Sequence, residues 1–311
     1  MTDRGGAAAD LDRLLAETSR TFALSIPLLP EPTRREVTVA YLLFRIADTF
    51  EDASHWSVSA RRDALAGFGE LLRRPSLPDA RRLAAQWAAD RPSEHPGYVS
   101  LVAEIPAVLE DFLSLSPGAI APIRDHLLRS AEGMAGFVGR TDERGELALA
   151  SLEELRDYCY TVAGIVGEML TELFLLGRSG LEAGAPVLRP RARLFGEGLQ
   201  LVNILKDSDS DAAEGRRYVP DSLPRAEVFV LARRDLEAAG EYILELQARG
   251  APSGILGFTA LPVELAWATL ERVEVSGPGA RISRPEVAAI AAALAARLGT
   301  GRPAVKVRRQ S

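Results

Sequence analysis

Helical periodicity runs through nearly all of this chain and strand-like alternation almost nowhere, so the pattern alone restricts the fold to the all-α class. Apolar residues return at three- and four-residue spacing over residues 10–17, 57–73, 77–89, 98–115, 117–138, 151–176, 226–249, 262–275 and 284–298. Pro- and Gly-containing stretches at 74–78, 91–96, 139–146 and 180–190 read as the loops between them. No internal repeat or low-complexity segment interrupts the series, and 311 residues allow one large domain or two.

Composition excludes several functions. A net charge of −6, with no basic stripe carrying interleaved aromatics, gives no reason to expect nucleic acid as a partner. One cysteine, Cys159, cannot form an internal disulfide and fits a reducing cytosol. His55, His95 and His126 show no zinc-like spacing and read as surface or capping residues. Charges interrupt the apolar runs short of about 18 residues, so no membrane-spanning helix is expected. The first ten residues lack the basic region and apolar core of a secretory signal. The expected location is cytoplasmic. Residues 299–311 form a short basic tail expected to be disordered, or weakly attracted to anionic membrane.

Chemistry concentrates in two helices. In Tyr41-Leu-Leu-Phe-Arg-Ile-Ala-Asp-Thr-Phe-Glu-Asp52, Asp48 and Asp52 are four apart and share one helix face. They lie among Leu42, Leu43, Phe44, Ile46, Ala47 and Phe50, where a like-charge pair is costly unless neutralised. Arg45 can pair with Asp48 but does not satisfy Glu51 and Asp52 as well; a hard divalent cation with oxygen ligands would. A solvated acidic helix end is the plainer alternative. In Gln200-Leu-Val-Asn-Ile-Leu-Lys-Asp-Ser-Asp-Ser-Asp211, residues Asn203, Asp207 and Asp211 make an i, i+4, i+8 stripe. Asn203 is the only asparagine, and Lys206 one of two lysines, in a chain rich in Arg and Ala. Two such helices facing each other would hold Mg²⁺ bridged by a diphosphate, since Mg²⁺ takes a few carboxylates together with phosphate oxygens.

Other segments are compatible with that picture and with simpler ones. Ser19-Arg-Thr21 offers hydroxyls flanking an arginine, suited to diphosphate oxygens or to helix capping. Gly164 and Gly167 sit inside a helix at a cost of about 1 kcal/mol each, which either close helix packing or room for a ligand would offset. In the ligand reading, Thr161, Val162, Gly164 and Ile165 line a tunnel for an apolar tail, with the phenol of Tyr158 near its head. The loop over residues 212–220, with Arg216, Arg217 and Tyr218, is either a flap closing over phosphate or a solvated turn.

These motifs together resemble the squalene/phytoene synthase family, the head-to-head prenyltransferases. The matching stretches are Ser19-Arg-Thr-Phe22, Tyr41 with Arg45-Ile-Ala-Asp-Thr-Phe-Glu-Asp52, Tyr158-Cys-Tyr-Thr-Val-Ala-Gly164 through Glu168, and Gln200-Leu-Val-Asn-Ile-Leu-Lys-Asp207 through Gly215-Arg-Arg-Tyr-Val-Pro220. A looser match in Phe258-Thr-Ala-Leu-Pro-Val-Glu-Leu-Ala-Trp-Ala-Thr-Leu270 and Gly279-Ala-Arg-Ile282 leans towards the squalene synthases. The resemblance implies an all-α, single-domain helical bundle of the class I isoprenoid synthase type over residues 1–298, with a central apolar cavity. It implies Mg²⁺ on Asp48, Asp52, Asp207 and Asp211, with Asn203 in support. Diphosphate contacts would come from Ser19, Arg20, Thr21, Tyr41, Arg45, Gln200, Asn203, Lys206, Arg216 and Tyr218. Tyr158 would assist proton transfer or cation stabilisation, and Phe22 would face the carbocation. Two positions depart from the family's pattern: Lys206 stands where arginine is usual, a point charge in place of a fork, and Ser210 where an acid is common.

The implied reaction is condensation of two farnesyl diphosphates to presqualene diphosphate and squalene, with NADPH for the reductive ending and peripheral membrane contact for product release. The alternatives are a non-reductive phytoene or dehydrosqualene synthase, and a cyclase or transferase using one prenyl diphosphate. A non-enzymatic lipid-binding or scaffold role would require the aspartates to be structural.

Overall fold

The computed structural model describes residues 5–142, 144–306 and 308. Contacts gather into two compact units, residues 1–27 with 31–141 and residues 28–30 with 142–311. The first unit contains α1 (Gly5–Thr18), α2 (Phe22–Ser25), α3 (Thr33–Glu51), α4 (Val58–Arg73), α5 (Leu77–Ala89), α6 (Pro96–Ala103), α7 (Ile105–Leu113) and α8 (Pro117–Val138). Its centre is α3, which contacts α1, α4, α6, α7 and α8. Leu42, Leu43, Ile46, Ala47 and Phe50 are fully buried, and the Phe50 ring meets Trp87 at 4.8 Å and Phe68 at 6.2 Å between centroids. Ser57, Ser76 and Ser116 start α4, α5 and α8 by accepting a bond from a first-turn backbone N–H, which satisfies a donor the helix cannot. The helix expected over 98–115 is two, because Pro106, in the first turn of α7, cannot continue the bonds of α6.

In the second unit, α9 (Leu152–Cys159) runs through a π-turn at Tyr160–Gly164 into α10 (Ile165–Leu175). The helices α11 (Ser179–Ala213), α12 (Arg225–Ala248), α13 (Ser253–Ser276) and α14 (Arg284–Gly299) follow. The segment 180–190, expected as a loop, is the start of the 35-residue α11, with Pro186 and Pro190 inside it. Proline costs such a helix backbone bonds. Packing compensates here: Leu181, Ala185 and Leu188 are buried, and Gly184 lies against the Arg249 side chain. Two short strands, β1 (Leu147–Ala148) and β2 (Arg216–Arg217), pair in parallel and tie the 212–220 segment down. The α13 helix is long and apolar enough to cross a membrane by length and composition, which the sequence reading did not anticipate, yet 78% of its most apolar window is buried inside the protein.

The C-terminal tail also differs from expectation. Residues 299–306 and 308 pack on the second unit in place of being disordered. Ala304 and Val305 are buried, the Ala304 N–H donates to Gln247 Oε1 at 2.8 Å, and the Lys306 N–H donates to Glu264 Oε1 at 3.1 Å. Arg308 sits 4.9 Å from the Trp267 ring centroid. The apolar pair Ala304-Val305 inside a basic stretch supplies the burial. Residues 307 and 309–311 lie outside the described residues.

Close approach of backbones defines the crossing of the α9–π–α10 helix with α11. A Cβ on Gly196 would overlap the Ala163 carbonyl oxygen, and one on Gly167 would overlap that of Ala192. Gly196→Ala should therefore destabilise the fold by about 3 kcal/mol or more. Gly136→Ala in α8, where a Cβ would meet nothing within 4 Å, should stabilise by about 0.5–1 kcal/mol. Urea unfolding of the two variants measures both.

Candidate functional site

The sequence-predicted site residues of the first unit are linked by contacts from the end of α1 to the end of α3. Ser19 Oγ accepts the Phe22 N–H at 2.9 Å, which turns the chain into α2. The Phe22 ring lies 5.6 Å from that of Tyr41, whose hydroxyl donates to the Thr18 carbonyl at 2.8 Å. Arg45 Nε donates to the Tyr41 hydroxyl at 3.4 Å, and Arg45 Nη1 pairs with Asp48 Oδ2 at 3.3 Å. The guanidinium lies 5.6 Å from the Tyr41 ring centroid and 5.4 Å from that of Tyr98. Thr21 is half-buried and Arg20 exposed. Asp48 is half-buried, while Asp52, the residue capping α3, is exposed, so this edge is wetter than the apolar sequence context suggested.

Burial sets the electrostatics of this edge. It raises the Asp48 carboxyl from its ordinary 3.8 to about 6; Arg45 opposes that shift and Asp52 adds to it. Burial also opposes the Arg45 charge, but Asp48, Tyr41 and Tyr98 outweigh it and hold the guanidinium above its ordinary range.

In the second unit, the Asn203 stripe runs along the C-terminal part of α11. Lys206 Nζ donates to Asn203 Oδ1 at 3.2 Å and pairs with Asp207 Oδ2 at 3.1 Å. Gln200, Asp207 and Asp211 are half-buried, and Asn203 is exposed. Ser210 donates to the Asp207 carbonyl at 2.8 Å and so serves the helix backbone. Arg225 braces this end, donating to the Leu205 carbonyl at 2.6 Å and to Ser208 Oγ at 3.0 Å. Past the helix, Arg216 pairs with Glu214 at 2.5 Å. The Tyr158 hydroxyl donates to that of Tyr218 at 3.0 Å, with the rings stacked at 4.4 Å and both residues buried. Thr161 and Ile165 are buried and Val162 half-buried. Gly164 does not line open space: a Cβ there would lie 2.8 Å from Tyr160 Cδ2 and 3.2 Å from Glu197 Oε1, so its bareness serves helix packing.

The donor set suits Mg²⁺. Among the described residues, no group of three or more His, Cys, Asp and Glu is gathered as a metal site. Each acidic helix instead presents a pair of aspartates with water access, the kind of incomplete shell that Mg²⁺ completes with phosphate oxygens. Sequence reading missed Tyr98, Arg225, and the buried Glu197 with its partner Arg156. Of these only Glu197 left a trace, an acid flanked directly by two glycines within α11.

The Asp48 shift has a stability consequence. Its folded pKa lies above the unfolded one, so its contribution is fully present below the unfolded value and is lost as pH rises through about 6. Relative to Asp48→Asn, the wild type should lose on the order of 2–3 kcal/mol between pH 4 and pH 7 without divalent cations. Added Mg²⁺ should raise the wild-type melting temperature at pH 7 more than that of the variant. Thermal melts over a pH series test both.

Comparison with known proteins agrees with these motifs. The squalene/phytoene synthase family model matches residues 15–228. The Botryococcus squalene synthase of Botryococcus braunii is 33% identical over 65% of this chain and 39% of its own length. The squalene synthase of Eremothecium gossypii is 28% identical over 86% of this chain and 63% of its own. The chain thus spans about two fifths to three fifths of the length of these relatives. Among solved structures, a ligand complex of TcSQS superposes with a TM-score of 0.71 at 22% identity, covering 98% of this chain and 93% of that one. A dehydrosqualene synthase complex gives 0.55 at 17% identity over 95% and 97%. The all-helical fold is that of the squalene synthases, and with the family model covering more than half of its residues, this chain belongs to the squalene/phytoene synthase family.

Proposed function

We propose that this chain joins two prenyl diphosphates head to head (1′-1), with farnesyl diphosphate as substrate, passing through presqualene diphosphate to squalene. The observation that carries the reading is the same arrangement on two helices: carboxylates at four-residue spacing beside a cation of their own helix, Arg45 with Asp48 and Lys206 with Asp207. That alternation suits a diphosphate, which needs cations for its oxygens and carboxylates for the metal that shares them. The squalene synthases among the relatives support the choice of reaction.

The reaction then divides among named residues. Mg²⁺ on Asp48 and Asp52, and Mg²⁺ on Asp207 and Asp211 with Asn203, would supply positive charge to the departing diphosphate. Ser19, Arg20, Thr21, Arg45, Lys206 and Arg216 hold its oxygens, with Tyr41 and Gln200 orienting that shell. The C1–O bond breaks with its electron pair leaving on diphosphate, and the double bond of the second substrate attacks the resulting allylic cation. Loss of a proton closes the cyclopropane, and the Tyr158 phenol accepts or relays that proton. Phe22 turns its ring face to the positive charge, while Thr161, Val162 and Ile165 belong to the wall along the prenyl chain. The reductive ending needs NADPH, to which no residue described above is assigned. A hydrocarbon product leaves into lipid, so peripheral membrane contact belongs to the same proposal.

The test is incubation with farnesyl or geranylgeranyl diphosphate and Mg²⁺, with and without NADPH, followed by mass spectrometry. Squalene is the expected product. A C30 or C40 hydrocarbon formed without NADPH would mark the non-reductive synthase, and a C15 or C20 product the single-substrate enzyme. Absence of any condensation product overturns the proposal. Asp48→Asn and Asp207→Asn should each lower kcat/KM by about 10³-fold, roughly 4 kcal/mol of transition-state stabilisation. Tyr158→Phe should lower kcat by about 10²-fold.

A further inference from the structure

Behind the π-turn lies a buried charge network for which the reaction above has no use. Glu197 of α11 and Asp235 of α12 have side chains only 1% exposed. Burial pushes both carboxyls above the ordinary range, nearby arginines oppose the shift, and Asp235 adds to that of Glu197. Two like charges in a protein interior are costly, and removing their counter-ion would leave them uncompensated. In some proteins such a network fixes one arrangement against its alternatives.

The contacts of Glu197 indicate which arrangement that is. Its Oε2 takes Arg156 Nη2 at 3.1 Å, one turn before the π-turn begins. Its Oε1 pairs with Arg193 Nε at 2.9 Å, and Arg193 lies 5.3 Å from the ring centroid of Tyr160, the first residue of the turn. The same Oε1 occupies the space beside Gly164, the last residue of the turn. Arg156 Nη1 reaches Asp235 Oδ2 at 3.8 Å, which extends the tie to α12. The Tyr160 hydroxyl donates to Glu168 at 3.3 Å, a span of eight residues across the turn. One carboxylate thus touches the helix before the π-turn, its start through Arg193, and its end.

A π-turn inserts one residue into the helical count, so every side chain ahead of it is rotated relative to those behind. Tyr158 lies two residues past Arg156 and two before the turn, and its hydroxyl meets Tyr218. We propose that Glu197 is a positioning residue: through Arg156 and Arg193 it holds the π-turn in register and thereby sets the phenol of Tyr158. This inference rests on the catalytic role proposed for Tyr158, but part of its test does not.

Glu197→Gln keeps the shape and removes the charge. The expected result is amide hydrogen exchange at residues 160–164 at least 10-fold faster than in the wild type, with α12 and α13 unchanged. On farnesyl diphosphate, kcat should fall about 30-fold with KM within twofold, because bound substrate is retained while the phenol is displaced. In a Tyr158→Phe background the same change should cost nothing further, the non-additivity of two residues acting as one unit. Arg156→Lys, which keeps the charge but loses the fork, should reproduce the kcat loss in part and stands in should the Gln variant fail to fold. Additive losses with Tyr158→Phe, or unchanged exchange across the turn, overturn the proposal. If the wild type condenses no prenyl diphosphate, the catalytic reading fails instead, and the exchange measurement still decides whether Glu197 holds the turn.

Discussion

Two helices of the second unit cross with almost nothing between their backbones, and most of that unit's chemistry depends on this contact. Gly167 and Gly196 face the carbonyls of Ala192 and Ala163 at distances no side chain would permit. Glycine inside a helix lowers its intrinsic stability, so each helix gives up local preference for proximity to the other. The result is that Tyr158, on one helix, and the stripe of Asn203, Asp207 and Asp211, on the other, belong to one rigid crossing. The π-turn sits at that crossing because the extra residue lets Gly164 close onto α11 while the chain remains helical on both sides.

Charge is handled in the same local way in both units. Aspartates at four-residue spacing repel, and each acidic helix answers with its own cation, Arg45 in α3 and Lys206 in α11. The two answers differ in character. Arg45 is a fork lying against two tyrosine rings, with its direction fixed before any ligand arrives. Lys206 is a compact charge on a flexible stem, bound to Asn203 and Asp207 and able to leave them at little cost. Ser210, between Asp209 and Asp211, is bonded to its own helix backbone. This chain therefore carries a rigid cation on one acidic helix and a movable one on the other.

Much of this was legible in order along the chain. Four-residue spacing placed the aspartates on common faces, and the glycines of the Tyr158 segment signalled a close contact or a cavity. The misreadings share one cause. Pro186 and Pro190 looked like loop residues because local rules penalise them, yet buried neighbours at Leu181, Ala185 and Leu188 carry the helix through. The basic tail looked solvated because its charges outnumber its apolar residues, although Ala304 and Val305 are enough to dock it. Tyr98 carried no signal at all, since nothing in its spacing connects it to Arg45 more than fifty residues earlier.

The sequence by itself determined the helical class, the faces on which the carboxylates lie, and the family, because these depend on periodicity and on residue types at short, fixed separations. Tertiary structure alone decided which side chains complete the charges: Tyr98 beside Arg45, Arg225 under the end of α11, Glu197 behind the π-turn. Those contacts join residues far apart in the chain, and their energies come from desolvation and packing that exist only once the helices have come together. It also decided that Gly164 marks a contact and not a cavity wall, since a missing side chain looks the same in sequence whether another helix or a ligand fills the space.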